Sequence, residues 1–219
     1  LDKPLAKIWM HNGFVQVDSE KMSKSLGNFK TIRDILESYL PETLRFFLAG
    51  KHYRSPIDFS LDSMEEHERS QKRVYECLRE VDAALTREKW KPGTAPADLL
   101  SELEQQDAAF MEALEDDCNT AAALGHIFTM VRLAGRVLED KKLRANEGGR
   151  AVLLRFREAV TRWDTLLGLF AQNPAVFLDA LRDKRALRRG LDMDRVKALL
   201  AERQEARAAK DFARSDAVR

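Results

Sequence analysis

Lys21 and Lys24 stand three residues apart, interleaved with the hydroxyls of Ser23 and Ser25 and followed by Gly27-Asn28. A lysine ammonium is a compact, rotatable donor suited to phosphate oxygens. Serine hydroxyls and free backbone N–H groups add further donors, so the run from Glu20 to Asn28 can cradle a polyphosphate. The same composition also suits a plain solvated basic loop, and residue types alone do not choose between the two. The other reactive side chains are scattered. Cys77 and Cys118 lie outside any CxxC or CxxH cluster and read as two free thiols of a reducing compartment. His11, His52, His67 and His126 have no partner at metal-ligand spacing and read as surface or packing residues, so no metal ligand is assigned.

A second kind of chemistry is suggested near the end of the chain. Arg203, Arg207, Lys210 and Arg214 recur at spacings of four, three and four, which on one helix makes a basic stripe. Salt-dependent contact with nucleic-acid phosphates is its simplest use. A solvated face with local pairs such as Arg207–Asp211 is the other reading, and both stay open. Lys184, Arg185, Arg188 and Arg189 form a second basic cluster that reads the same way. The net charge of +1 conceals this distribution. Residues 1–60 carry a balance of +2, residues 61–180 one of −6 and residues 181–219 one of +5, with no Lys or Arg between Pro92 and Val131. The acidic middle is a poor surface for a polyanion and the basic ends are candidates.

The elements that must position these groups are mainly helical. The 219 residues hold only 10 Gly and 6 Pro, which favours long helices over a many-turned β fold. Gly13 to Asp18 alternates apolar and polar residues and reads as a short strand ahead of the lysine loop. Thr31 with Asp34 resembles a capping box for a helix presenting Ile32, Ile35, Leu36 and Tyr39 on one face. Pro41 fits the first turn of the next helix, with Gly50 at its stop. A long helix is predicted over 61–87, followed by the linker Lys91 to Pro96. Further helices are predicted over 98–115, from a cap at Asn119 or Thr120, through the stripe Leu153, Phe156, Val160, Trp163, Leu167 and Phe170, and over 175–187 and 193–213. Between 61 and 172 these apolar stripes can be buried only against one another, which makes a helical bundle. No apolar run approaches the ~18 residues of a membrane span, and no secretory leader opens the chain.

The loop and its flanks resemble a known family. Lys21-Met22-Ser23-Lys24-Ser25 reproduces letter for letter the second signature of class I aminoacyl-tRNA synthetases. Trp9-Met10-His11-Asn12-Gly13-Phe14-Val15 leads into it and Leu26-Gly27-Asn28-Phe29-Lys30-Thr31 follows. The segments Pro41 to Leu48 and His52-Tyr53-Arg54-Ser55-Pro56 are similar to the cysteinyl branch of that class. Asp116-Asp117-Cys118-Asn119-Thr120 is similar to a segment that opens a helix of the family's helical domain, with Cys118 in place of an aromatic and Ala121 in place of proline. The run from Arg203 to Arg219, with Lys210-Asp211-Phe212, resembles the family's C-terminal segment.

The resemblance implies a fold and an activity. The chain would be mainly α: the tail of a nucleotide-binding α/β domain with its loop at 1–30, a stem-contact helical region at 31–90, a helical bundle of the anticodon-binding type at 97–190 and the start of an anticodon-recognition region at 191–219. The activity would be ATP-dependent activation of L-cysteine to cysteinyl-adenylate and its transfer to the 3′ end of tRNA(Cys), in the cytoplasm, by a monomer with no membrane contact. Lys24 would be the first ATP contact and Lys21 the second, with Met22, Ser23 and Ser25 completing the ATP-binding loop. Arg203, Arg207, Lys210 and Arg214 would meet tRNA. Mg would accompany ATP, and zinc would be held by ligands upstream of this chain. Without the family's other nucleotide signature and its zinc site, the chain alone is expected to make no adenylate. Two rivals are a cysteine-activating ligase acting on an amino-sugar and a non-catalytic helical tRNA-binding module.

Overall fold

A computed structural model describes residues 5–23 and 25–218 of the chain. The described part opens with a small sheet of β1 (Val15–Val17), β2 (Glu20–Lys21) and β3 (Ile57–Phe59), in the order β2-β1-β3. The alternating run at 13–18 thus yields a strand of three residues. Asp18 and Ser19 form the tight β1–β2 turn at φ 51° and 65°, the positive pair that a two-residue hairpin requires. Asp58 pins that turn by accepting from the Ser19 N–H and hydroxyl, both at 2.9 Å. β1 pairs in parallel with β3, Val15 opposite Ile57 and Val17 opposite Phe59. A parallel pair needs a crossover, and α1 (Ile32–Ser38) and α2 (Pro41–Ala49) provide it. Sheet and crossover share a small core of Val17, Tyr39, Leu44, Phe47, Ile57, Phe59 and Met64.

The rest of the mass is helical. α3 (Leu61–Leu85), α4 (Ala97–Glu115), α5 (Thr120–Glu139), α6 (Glu147–Leu167) and α7 (Pro174–Arg188) bury their stripes in one large core. Val74, Leu78, Phe110, Ile127, Met130, Phe156 and Trp163 are fully enclosed there. Each such side chain contributes about 1.5–3 kcal/mol, which accounts for the bundle. The linker at 91–96 separates α3 from α4 in sequence but not in packing, since both line this core. Among the described residues α5 is the one helix long and apolar enough to cross a membrane. Its apolarity follows from the eight side chains, from Ala123 to Leu138, that it buries in the bundle.

Two helix ends differ from the sequence expectation. α6 stops at Leu167, where Gly168 turns into the left-handed region at φ 62°, and Phe170 follows at φ 68°. Phe170 still reaches the core at 1% exposure, but by a turn and not along a helical face. The helix expected over 193–213 is two helices. α8 (Met193–Ala208) ends before Lys210, which sits at φ 59°, and α9 (Phe212–Ala217) restarts on the Asp211 cap.

Candidate functional site

The lysine loop leaves the sheet directly from β2 and is fastened at three points. Met22 packs its side chain against the small core. The Asn28 carboxamide closes the loop on itself: its Oδ1 accepts from the Ser23 N–H at 2.8 Å, and its Nδ2 donates to the Lys21 carbonyl at 3.2 Å. The Ser23 and Ser25 hydroxyls lie 2.7 Å apart, with the Ser25 N–H donating to Ser23 Oγ at 3.3 Å. Gly27 sits at φ 69°, the left-handed bend that lets Asn28 turn back. Lys21 and Ser25 are exposed and Ser23 is half-buried. Lys24 lies outside the described residues. The loop therefore leaves Lys21 and Ser25 exposed while Met22 is anchored on the small core. Met22, expected as one residue of the ATP-binding loop, is partly buried against the small core. Asn28 was not singled out by the sequence, and the Gly-Asn pair after the second serine was the signal.

Beyond Asn28 only Phe29 and Lys30 precede the Thr31 cap of α1. Thr31 caps that helix reciprocally: its hydroxyl accepts from the Asp34 N–H at 3.1 Å, and its own N–H donates to Asp34 at 2.8 Å. These bonds hold the Asp34 carboxyl below the usual carboxylate range.

Two segments that carried the resemblance meet in space. Asp117 stands at φ 53° in the α4–α5 turn and faces the loop before β3. Its carboxylate accepts from the Tyr53 hydroxyl at 2.7 Å and from the Arg54 guanidinium at 2.8 and 3.0 Å, with His52 Nε2 at 3.7 Å. The Tyr53 hydroxyl, with the guanidinium beside it, lowers the Asp117 pKa. Tyr53 in turn accepts from the Gly13 N–H through its carbonyl at 2.7 Å. A Cβ on Gly13 would fall 2.3 Å from the Ser55 carbonyl oxygen, so the approach requires glycine. Bundle, loop and sheet are thereby linked in one chain of contacts.

The basic cluster at 184–189 faces inward, contrary to the phosphate reading. Arg185 and Arg188 grip Glu68, which is 1% exposed, with Arg185 Nε at 2.5 Å and Arg188 at 2.9 Å from both carboxylate oxygens. Arg188 also lies over the Tyr39 ring at 4.2 Å. Of the four, Arg189 alone is fully exposed. A buried carboxylate fixes these arginines because an unpaired charge there is costly. Asp107 plays the same part between α4 and α6, held by Arg155 at 3.1 Å and by Arg162. The proposed stripe of four cations is also not one face. Arg203 and Arg207 belong to α8, Lys210 to the turn and Arg214 to α9, where Arg214 pairs with Glu202 at 3.1 Å. Arg203 is half-buried and its Nε has no hydrogen-bond partner among the described residues.

No group of three His, Cys, Asp or Glu side chains converges on a metal position among the described residues. His67 packs edge-on against Phe46 and Phe47, His126 Nδ1 meets Gln106 at 2.8 Å, and the Cys77 thiol donates to the Val131 carbonyl at 3.8 Å.

Comparison with known proteins places this geometry. Residues 1–69 match the family model of the class I (C) tRNA synthetase catalytic domain, and residues 109–171 match that of the DALR domain. The chain is 64% identical over 215 residues to a cysteine–tRNA ligase of Desulfovibrio desulfuricans, covering 98% of the chain and 44% of that protein. It is 57% identical over 219 residues to that of Lawsonia intracellularis, covering 100% of the chain and 45% of the relative. The Maridesulfovibrio salexigens enzyme is 50% identical over 217 residues, covering 99% and 45%. The chain thus spans less than half the length of the curated relatives it matches.

Proposed function

From a chain that belongs to the cysteine branch of the class I tRNA synthetases, we propose the C-terminal portion of a cysteine–tRNA ligase. The reaction activates L-cysteine with ATP and then charges tRNA(Cys). In the first step a carboxylate oxygen of cysteine attacks the α-phosphorus of ATP. The α–β anhydride bond breaks, and pyrophosphate leaves with the bonding electron pair. In the second step a terminal ribose hydroxyl of tRNA takes the cysteinyl group, and AMP departs.

The loop's share of this chemistry is electrostatic. Charge accumulates on the β- and γ-phosphates as the anhydride bond breaks, and preorganised cations there favour the transition state over bound ATP. Lys24 and Lys21 supply those cations, and the Ser23 and Ser25 hydroxyls add donors. Mg enters with ATP as part of the substrate. The zinc implied by the resemblance, whose ligands it places upstream, finds no group of three ligands among the described residues. The region at 31–90 would brace the tRNA stem and the bundle at 97–190 would carry the helical tRNA-facing surface. The pair α8–α9, with Arg207 and Lys210 exposed, would open the anticodon-recognition region. A monomer in the cytoplasm completes the proposal.

The observation that carries the reading is the loop itself: Met22 and Asn28 fix its frame while Lys21 and Ser25 remain exposed. The test is cysteine-dependent ATP–pyrophosphate exchange by the full-length enzyme. Lys24→Ala is expected to lower kcat by ~10²–10³, the scale of one lost transition-state donor, with the KM for ATP within a few-fold. Unchanged exchange in that variant refutes the role of the loop.

A further inference from the structure

α1 is the element that delivers the chain from the lysine loop to the rest of the molecule, and hydrophobic packing holds it weakly. None of its seven residues is buried; Ile35 and Leu36 are only half-covered by the small core. Its ends therefore carry much of its placement. The last four carbonyls of any helix lack an intrahelical donor. In α1 the Tyr39 N–H takes the Ile35 carbonyl at 2.9 Å. The other three are taken by α7. Lys184 Nζ donates to the carbonyls of Leu36 and Glu37 at 2.9 and 2.8 Å, and Arg188 Nη1 to that of Ser38 at 2.8 Å. α1 has no basic residue in its own last turn, so the cations that suit a helix C-terminus come from about 150 positions along the chain.

We infer that Lys184 and Arg188 of α7 are positioning residues for the lysine loop, acting through α1. The path is short and continuous. α7 fixes the C-terminus of α1, the Thr31–Asp34 box fixes its N-terminus, and three residues before Thr31 the Asn28 side chain frames Lys21 and Ser23. A helix displaced at one end displaces the loop at the other. Misplacement of a catalytic group by about 1 Å is enough to cost as much as 10²-fold in rate. The helical bundle thereby sets the position of the nucleotide-handling loop, a task distinct from binding RNA. This inference rests on the proposed function, since the loop must act on ATP for its position to matter.

Lys184 is the cleaner residue to test, because Arg188 also neutralises the buried Glu68. In the full-length enzyme Lys184→Met keeps the aliphatic stem and removes the donor, while Lys184→Arg restores a cation. Two measurements run together: cysteine-dependent pyrophosphate exchange, and site-resolved amide hydrogen exchange over residues 20–38 against residues 61–85. Lys184→Met is expected to lower kcat about tenfold at an unchanged KM for cysteine. It should raise hydrogen exchange in 20–38 but not in 61–85, and Lys184→Arg should recover most of both. Equal hydrogen exchange in wild type and Lys184→Met overturns the grip on α1. Raised exchange with an unaltered kcat overturns its role in positioning. Absence of cysteine-dependent pyrophosphate exchange in the unmodified enzyme refutes the proposed function instead, and the hydrogen-exchange contrast still reports on the grip.

Discussion

Replacing Glu42 by alanine tests how the crossover is fastened to the bundle. Glu42 lies in the first turn of α2 and is 7% exposed, yet no cation neutralises it among the described residues. Neutral donors surround it instead. Tyr75 hydroxyl reaches both oxygens at 2.9 Å, and Gln71 Nε2 reaches one at 2.9 Å. The Phe170 N–H and Gln172 Nε2 each donate at 3.0 Å. These donors come from α3 and from the turn after α6, so one carboxylate joins three parts of the chain. Burial and the neighbouring carboxylate push the Tyr75 hydroxyl strongly upward in pKa, which keeps it protonated and donating. In Glu42→Ala four donors lose their acceptor, and those on Gln71, Tyr75 and Phe170 are enclosed. An unsatisfied buried donor costs about 1–3 kcal/mol. Water entering the vacated space recovers part of that, leaving a loss of about 4 kcal/mol. For a chain of this size that corresponds to a fall in Tm of about 8–16 °C, read by thermal and urea denaturation followed at 222 nm. Glu42→Gln keeps the shape and one acceptor but aims an amide N–H₂ at other donors, and should lose about half as much. A loss below about 1 kcal/mol in Glu42→Ala would refute the view that this carboxylate is a structural junction.

The Asp117 junction should be sensitive to acid. Its pKa is lowered in the folded protein, so its contribution is fully present above the ordinary value of 3.8 and is lost as pH falls through the lowered value. Asp117→Asn should therefore flatten that part of the stability–pH profile measured by urea melts between about pH 5 and 2; an unchanged profile would show that Tyr53 and Arg54 do not stabilise the charge. The two thiols should differ in reactivity. Burial, helped by Glu80, pushes the Cys77 thiol up to about 12, whereas Cys118 is exposed. Site-resolved alkylation at about pH 8 should label the exposed Cys118 first and leave Cys77 until the protein unfolds; equal labelling would sink the burial argument.

Much of the fold was legible because its determinants are local. Thr31 and Asp34 declare a cap within four residues, Pro41 and Asn119 mark helix starts, and the stripes of α3 and α6 repeat at helical spacing. The lysine loop stood out for the same reason, since its residues are contiguous. The exceptions have identifiable causes. Phe170 continues the apolar spacing of α6, so periodicity extends the helix through a residue whose burial is achieved by a left-handed turn after Gly168. Glycine was the only cue, reinforced in space by Arg45, whose Nη1 donates to the Gly168 carbonyl at 3.0 Å. The stretch Arg203 to Arg214 contains neither glycine nor proline, and nothing in its composition stops a helix at Lys210. Asp211, whose side chain accepts from the Arg214 N–H at 3.0 Å, caps a new helix there instead.

The fate of the basic residues is the deeper case, because a charge count cannot tell an available cation from a committed one. The region 181–219 carries a balance of +5, which reads as a surface for a polyanion. Glu68 removes Arg185 and Arg188 from that surface, and the carbonyls at the end of α1 remove Lys184 and use Arg188 a second time. These partners lie more than a hundred residues upstream, beyond the reach of any spacing rule. Glu202 takes Arg214 in the same way. Arg207 and Lys210 are exposed and without an ion pair among the described residues, so the field that this region offers to RNA is smaller than its sequence suggests. The cations that remain on the loop side, Lys21 and Lys30, are exposed and likewise without an ion pair among the described residues. Arg155, Arg162, Arg185 and Arg188 are committed to buried carboxylates, and Lys184 and Arg188 to the end of a short helix, whereas Lys21 and Lys30 carry no such commitment among the described residues. The partition of cations, more than their number, separates the residues that hold shape from those left accessible.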